Sequence, residues 1–266
     1  MITVITGVGT GIGGAAARAL AERGHQVVLV GRTPAKVAAV AAGLAGTGRP
    51  PLTLTCDYTR LDDVRKLAAE IRERVDRIDV LVNNAGVMTT RRTLTPDGHE
   101  TMIQVNHLAP FLLTTLLLDH LADGGRVITT TSRAAKTGHL DLADLDRERR
   151  RWSGWLQYGD TKQANILFTV ALARRGVAAT CFHPGVIKTE FASGTFFMKV
   201  VHNLPGYGKS PEEGAKTLVH LATTEDGKTG KGHYFTKCRQ APLPARLTDP
   251  TLAESLWQTS TTLTRP

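Results

Sequence analysis

A doubly wound α/β sheet, parallel and with helices on both faces, is the architecture this sequence predicts. Three observations carry it. Short β-branched runs alternate with longer Ala/Leu/Arg segments through the first two-thirds of the chain. Those runs are apolar almost throughout rather than strictly alternating, as suits strands covered on both faces. Strand-then-helix order recurs often enough to require βαβ units with right-handed crossovers. No linker or low-complexity stretch divides the 266 residues, so 1–266 reads as one domain.

Taken in order, strands are expected at Ile2–Thr6, Gln26–Val30, Leu52–Cys56, Asp79–Val82, Arg126–Thr131 and Val177–Phe182. The helices between them are expected at Gly13–Arg23, Pro34–Ala45, Leu61–Val75, Asp97–Leu121 and Trp155–Arg175. Thr33-Pro34 reads as a helix start, and Gly24 and Gly176 stand just past two helix ends. After Pro184 the pattern loosens into Phe196-Phe197-Met198, then a helix from Pro211 to about Ala222 and a strand near His233–Phe235. Open α/β sheets bind ligands beyond the carboxyl ends of their strands, so the loops there are where chemistry is sought.

Composition narrows the class. Hydrophobic residues make up 41% and charged residues 21%, enough for a sizeable core and too little charge for a disordered or fibrous chain. The three cysteines (Cys56, Cys181, Cys238) are far apart and odd in number, which excludes a disulfide framework and suits a reducing compartment. Met1 leads straight into a strand-like run with no basic leader. The longest apolar stretch, Leu108 to Leu118, is interrupted by Pro110, Thr114 and Thr115 and falls short of the roughly 20 residues of a membrane span. A cytoplasmic protein with no membrane partner is expected. The net charge of +9, from 33 Lys+Arg against 24 Asp+Glu, leaves nucleic acid, an anionic membrane or a phosphorylated ligand to account for it.

The first strand runs into Thr6-Gly7-Val8-Gly9-Thr10-Gly11-Ile12-Gly13-Gly14 and then a helix. A loop without side chains lets backbone N–H groups approach a pyrophosphate, and the helix adds its N-terminal partial charge. Gly9-x-Gly11-x-x-Gly14 fits the dinucleotide pattern, but Gly7 is better placed for the sharp turn, which favours the reading Thr6-Gly7-x-x-x-Gly11-x-Gly13. An NAD site would carry an acid about 20 residues further on. Here the second strand ends in Val30-Gly31-Arg32-Thr33-Pro34-Ala35-Lys36, with no acid. A guanidinium can fork onto a 2′-phosphate that a carboxylate would repel, so Arg32 and Lys36 point to NADP(H); alone, they would read as solvated surface.

At the head of the fifth helix stands Tyr158-Gly159-Asp160-Thr161-Lys162. Positions i and i+4 share a face, and a nearby cation stabilises tyrosinate, as a general acid/base requires. By itself Tyr-x-x-x-Lys is too common to mean anything. Ser132 follows the fifth strand at its carboxyl end, where a serine is often only a cap or turn residue.

Together these residues resemble the short-chain dehydrogenase/reductase family, across practically the whole chain. Thr6-Gly7-x-x-x-Gly11-Ile12-Gly13 is similar to its cofactor loop, which implies that Gly7, Thr10, Gly11 and Ile12 touch the cofactor. Asn83-Asn84-Ala85-Gly86 after the fourth strand is similar to its adenosine-side motif, and Asp57 to the residue that bonds the adenine. Asn106, Ser132, Tyr158 and Lys162 resemble the family's Asn-Ser-Tyr-Lys tetrad, and Pro184-Gly185-x-x-x-Thr189, with Ile187 inside it, its nicotinamide-side motif. The insert Asp141-Leu142-Ala143-Asp144-Leu145, the run from Tyr158 to Thr169, and Leu256-Trp257 resemble the retinol-dehydrogenase-like branch; Thr161 stands where that branch usually has Ser.

The resemblance implies a Rossmann-type fold, a carbonyl or alcohol substrate and a substrate lid at about 190–210. It implies that Tyr158 exchanges the proton, Ser132 orients the substrate oxygen, and Lys162 holds the nicotinamide ribose and depresses the Tyr158 pKa. Asn106 would bind a relay water, and Thr189 with the backbone at Ile187 would fix the carboxamide. The reading is an NADP(H)-dependent ketone or aldehyde reductase acting on a hydrophobic small molecule. Reduction of a C=C bond on the same scaffold, a non-catalytic NADP-binding regulator and a basic nucleic-acid-binding protein are the alternatives.

Other features read as ordinary. His99, His107 and His183 lack metal-ligand spacing. The helix from Phe111 to Leu118 is apolar nearly all round, which suits core or a homo-oligomer face. Arg147 to Arg151, with Trp152 and Trp155, reads as a solvated basic loop, not as a nucleic-acid surface. Phe191, Phe196, Phe197 and Met198 in the lid suit either a lipophilic or aromatic substrate or simple packing.

Overall fold

The computed structural model describes residues 1–9, 11–187 and 208–266. Eight strands form one sheet in the order β3-β2-β1-β4-β5-β6-β7-β8. They are β1 Ile2–Thr6, β2 Gln26–Gly31, β3 Leu52–Thr55, β4 Ile78–Asn83, β5 Leu121–Thr130, β6 Ala178–His183, β7 Lys231–Thr236 and β8 Arg239–Gln240. Every pairing is parallel except β7 with β8. The chain steps outward through β2 and β3 and then returns to lay β4 on the other side of β1. That reversal opens a crevice at the carboxyl ends of β1 and β4, where this architecture binds ligands.

Helices cover both faces, so the strands are apolar on both sides. One layer of core joins α1 (Ile12–Ala21) and α7 (Pro211–Thr223) to the sheet through Ala16, Ala17, Leu20, Leu218 and Phe182. The other joins α3 (Leu61–Arg74), α5 (Ala109–Leu117) and α6 (Gly154–Arg174) through Val64, Ile71, Phe111, Leu113 and Phe168. A short α2 (Pro34–Ala42) buries Val37 and leaves its other residues at least partly exposed.

The expected elements are found with shifted ends, and three differences are physical. The helix expected from Asp97 starts at Thr101, because Gly98 at φ +85° completes a turn and Glu100 caps α4 (Thr101–Ile103) by accepting from Met102 N and Ile103 N. That helix is not continuous: Gln104–Leu108 is π-helical and leads into α5. The β5 strand begins at Leu121, five residues early, and the β4–β5 register shifts around Gly124 and Gly125. The run Thr101–His120, at 20 residues, is long and apolar enough to cross a membrane, but 78% of its 18-residue apolar stretch is buried in the protein. Two short elements, α8 (Glu225–Lys228) and β8, went unforeseen, as did a long one, α9 (Pro250–Leu263).

Candidate active site

The glycine loop is built against the β4 loop. Gly7 sits at φ +72°, and a Cβ there would lie 2.7 Å from Ala85 Cα, so only glycine fits. Asn84 fastens the crevice: its Nδ2 donates to Thr6 O (3.0 Å) and Gly7 O (3.3 Å), and its Oδ1 accepts from Thr130 Oγ1 (3.2 Å). Thr6 Oγ1 accepts from Asn84 N and Ala85 N and donates to Val82 O. The motif Asn83-Asn84-Ala85-Gly86 thus ties β1, β4 and β5 together before any ligand arrives.

The head of α1 has the properties of an anion site. Gly11 caps it without a side-chain acceptor, and no acid stands in the first turn, so among the described residues no side chain caps the leading N–H groups. The Lys36 stem lies against Gly9, at 3.4 Å from where a Cβ would stand. Arg32 is exposed at the end of β2 with no ion pair among the described residues. Asp57 spends Oδ1 on its own turn, accepting from Thr59 N (3.0 Å) and Thr59 Oγ1 (2.9 Å). On the far side of the crevice Gly185 turns at φ +100° after Pro184, and Ile187 pairs with Lys209. The side chains of Ile187 and Ile12 meet over Gly214. Thr10, Thr189 and the lid residues Phe191, Phe196, Phe197 and Met198 lie outside the described residues.

The tetrad assembles from three elements. Ser132 caps the 3₁₀ turn Arg133–Thr137, its Oγ accepting from Ala134 N (3.2 Å), and it hydrogen-bonds the Tyr158 phenol. Gly159 makes this approach close: a Cβ there would stand 2.8 Å from Ala134 O. Lys162 Nζ lies 5.4 Å from the Tyr158 ring centroid and 3.4 Å from Thr130 O. Asn106, in the π-helical turn, clamps the loop after β4. Its Oδ1 accepts from Val87 N (2.7 Å), and its Nδ2 donates to Val87 O (2.9 Å) and Thr161 Oγ1 (3.1 Å). Thr161 Oγ1 in turn donates to Tyr158 O (2.9 Å), so the hydroxyl in place of Ser has a bridging job.

A cradle remains between Asn106 and Lys162. A Cβ on Gly86 would come within 3.2 Å of Asn106 Oδ1 and 3.5 Å of Lys162 Nζ. That space, with one acceptor and one cation on its walls, suits the relay water. The side chain of Asn106 otherwise clamps the backbone at Val87, as an Asn on a helix can by bonding a neighbouring backbone group.

Burial raises the Tyr158 phenol well above its ordinary value, with the Ser132 hydrogen bond pulling the other way. Burial also lowers the neighbouring Lys162 ammonium, to about 8.

The basic loop is corrected. Arg147 is 6% exposed and pairs with Asp160 of α6 at 2.9 Å, while Arg150 Nη1 reaches the same carboxylate at 3.2 Å. Only part of Arg147 to Arg151 is solvated surface. Asp160 and Gln157 were therefore missed as parts of the site; the signal was an acid between Tyr158 and Lys162 and a surplus of arginines nearby. Among the described residues no group of three or more His, Cys, Asp or Glu side chains could hold a metal. His99 Nδ1 instead meets Asp146 (3.3 Å), and His107 Nε2 meets Ser260 Oγ (2.8 Å).

Beside Tyr158 the surface is apolar. Met102 and Ala134 back the ring, and Val87, Met88 and Trp152 pack around it. Trp155 stands 6.4 Å from the Tyr158 centroid and is 52% exposed.

This arrangement has known counterparts. The short chain dehydrogenase family model matches residues 1–197. A Streptomyces sp. (strain C5) protein named for daunorubicin C-13 ketoreductase activity, DnrU, is 42% identical over 97% of this chain and 90% of its own. Retinol dehydrogenase 12 of Mus musculus is 35% identical over 97% of this chain and 84% of its own. A short chain dehydrogenase from Burkholderia cenocepacia J2315, solved in complex with NADP, superposes with a TM-score of 0.71 at 27% identity, covering 88% of this chain and 94% of that one. With its glycine loop, its Ser-Tyr-Lys geometry and these relatives, the chain belongs to the short chain dehydrogenase family, on the branch that includes the retinol dehydrogenases.

Proposed function

We propose that this protein is an NADP(H)-dependent oxidoreductase that reduces a ketone or aldehyde on a hydrophobic small molecule, or oxidises the corresponding alcohol. The observation that carries it is the Ser132 hydroxyl bonded to a buried Tyr158 phenol, with Lys162 beside the ring and the crevice alongside. Gly7, Gly9 and the uncapped head of α1 would hold the pyrophosphate. Arg32 and Lys36 would hold the 2′-phosphate, and no acid stands there to repel it. When bound, the nicotinamide supplies or accepts the hydride.

The chain's own residues do the rest. In reduction, Tyr158 Oη donates its proton to the carbonyl oxygen while the Ser132 hydroxyl donates a hydrogen bond to the same atom and fixes its position. Ser132 Oγ accepts from Ala134 N, so its one hydrogen is the group it can donate. In this structure that hydrogen is engaged with the Tyr158 phenol, and it would turn to the carbonyl oxygen when substrate binds. The high proton affinity that burial gives the phenol suits an acid that keeps its proton until charge develops on the substrate oxygen. Lys162 and the Asn106 cradle stand behind it as the route for proton resupply.

The side chains packed beside Tyr158 support the substrate class. Val87, Met88, Trp152 and the exposed ring of Trp155 offer apolar and aromatic surface, which supports a lipophilic, aromatic carbonyl compound. The name of DnrU supports the same class. We place the enzyme in the cytoplasm, unattached to membrane; the burial of Thr101–His120 supports this. NADPH consumption over a panel of aryl ketones, aldehydes and enones tests the reading. Turnover of ketones or aldehydes supports it, and turnover confined to enones overturns it in favour of C=C reduction.

A further inference from the structure

Two residues past Tyr158 and two before Lys162, α6 carries Asp160, which is 1% exposed. At 100° per residue this side chain leaves the helix away from both. Its Oδ1 accepts from His139 N (2.7 Å), and its Oδ2 accepts from Arg147 Nη2 (2.9 Å) and Arg150 Nη1 (3.2 Å). Arg150 Nε also meets Asp144 Oδ2 at 3.0 Å, so two guanidinium groups and two carboxylates form a neutral cluster. Arg147 further donates to Gln157 Oε1 (3.3 Å) and Arg151 O (3.1 Å). Its backbone is held at φ +48°, a left-handed conformation that residues with a Cβ rarely adopt. Gln157, next to Tyr158, carries the connection onward: its Nε2 donates to Glu100 Oε2 (2.9 Å), and Glu100 caps α4 just ahead of the turn that holds Asn106.

Packing alone would not need these charges, since well-fitted apolar residues anchor a helix at least as well as a buried ion pair. A charge pair differs from apolar packing in setting the local field. We propose that Arg147 is a positioning residue for the reaction. By neutralising Asp160 beneath α6, it keeps a buried negative charge from raising the proton affinity of the Tyr158–Lys162 pair. This rests on the reading of Tyr158 as the proton-exchanging group.

Among the described residues, the other ionisable groups near this helix head are His139, whose backbone N–H meets Asp160, and Glu148, Arg149 and Arg151 on the loop of the cluster. Glu100, reached through Gln157, and His99 with Asp146 behind it complete that side. Arg133 and Lys136 lie on the adjoining 3₁₀ turn, and Arg246 reaches across to Lys136 O and Gly138 O. None of these changes in the variants below. In Arg147→Met the cluster is left with one excess negative charge, and in Asp160→Asn with one excess positive charge. In the double variant it is neutral again.

The test measures the pH at which alcohol oxidation by the full chain with NADP⁺ reaches half its maximal kcat/KM. Arg147→Met should move that midpoint up and Asp160→Asn should move it down, each by about half a pH unit or more, and the double variant should return it to the wild-type value. Arg150→Met, at the partly exposed edge of the cluster, should shift it up by less and serves if Arg147→Met does not fold. Midpoints that stay put, or that move the same way in Arg147→Met and Asp160→Asn, overturn the proposal and leave a purely structural role. Wild-type turnover that survives Tyr158→Phe would instead overturn the reading on which it rests.

Discussion

At the scale of the residue, function here works against stability. Lys162 is a buried cation whose only hydrogen bond among the described residues is a long one to Thr130 O. Burial lowers it to about 8, so the folded chain binds this proton less readily than the unfolded chain does. The folded state is therefore penalised in full below about pH 8, and the penalty fades as pH rises toward the ordinary lysine value. Lys162→Met should raise neutral-pH stability by about 2–3 kcal/mol, with the gain shrinking by pH 10, while abolishing turnover. Urea unfolding at pH 7 and pH 10 checks this; a loss of stability at pH 7 would show that the ammonium is better solvated than its burial implies.

Gly86→Ala is the complementary case. Its Cβ fills the space between Asn106 Oδ1 and Lys162 Nζ, so kcat should fall tenfold or more while the thermal midpoint changes little. Arg32→Asp should shift preference from NADPH toward NADH; unchanged discrimination would mean that the 2′-phosphate is read elsewhere.

Much of this was legible in residue order. Gly7, Asn84, Ser132, Tyr158 and Lys162 belong to motifs whose spacing along a strand–loop–helix chain determines where they end up. The roles that were not legible depend on contacts between segments far apart in sequence. Asn106 reaches Val87, and Arg147 reaches Asp160 from a loop that reads as hydrophilic. A charge run carries no mark that says which of its members turns inward.

At the scale of the element, α6 and α9 decide the architecture around the site. The α6 helix is buried on nearly all sides, so it holds Tyr158 and Lys162 on a rigid rod. Its outer flank is covered by α9, where Trp257 stacks on Phe168 (6.0 Å between centroids) and meets Phe111 edge-on (5.0 Å). The Arg175 guanidinium lies 3.8 Å from the Trp257 ring centroid. This helix was missed although Asp249-Pro250 is a strong start signal: Asp249 accepts from Thr251 N and Leu252 N, and Pro250 fills the first helical position. Phe111, on the helix whose apolarity suits either core or a homo-oligomer face, is thus covered by the same chain.

Trp257→Ala should cost about 3 kcal/mol of stability and expose that surface. Thermal unfolding and sedimentation would show a lowered midpoint and a tendency to associate. A variant as stable as wild type would mean that α9 contributes little to the fold.

At the scale of the molecule, the sheet reversal between β1 and β4 opens the crevice, and the loops after β1, β2, β4, β5 and β6 each bring one part of the site to it. The net charge of +9 divides along the same geometry. Arg32 and Lys36 are exposed beside the glycine loop, where a polyanion would lie. Others are internal. Arg126, 1% exposed, donates to Leu221 O and Thr224 O at the end of α7, and Arg147 and Arg150 hold the cluster under α6.

The central claim is that the Tyr158 hydroxyl exchanges the substrate proton, and one substitution isolates it. Tyr158→Phe removes a single oxygen from a ring that keeps its apolar neighbours. With an active ketone in hand, NADPH affinity and turnover are measured on wild type and Tyr158→Phe side by side. NADPH binding within about twofold of wild type with turnover reduced a thousandfold or more is the predicted result. Turnover within tenfold of wild type would contradict it.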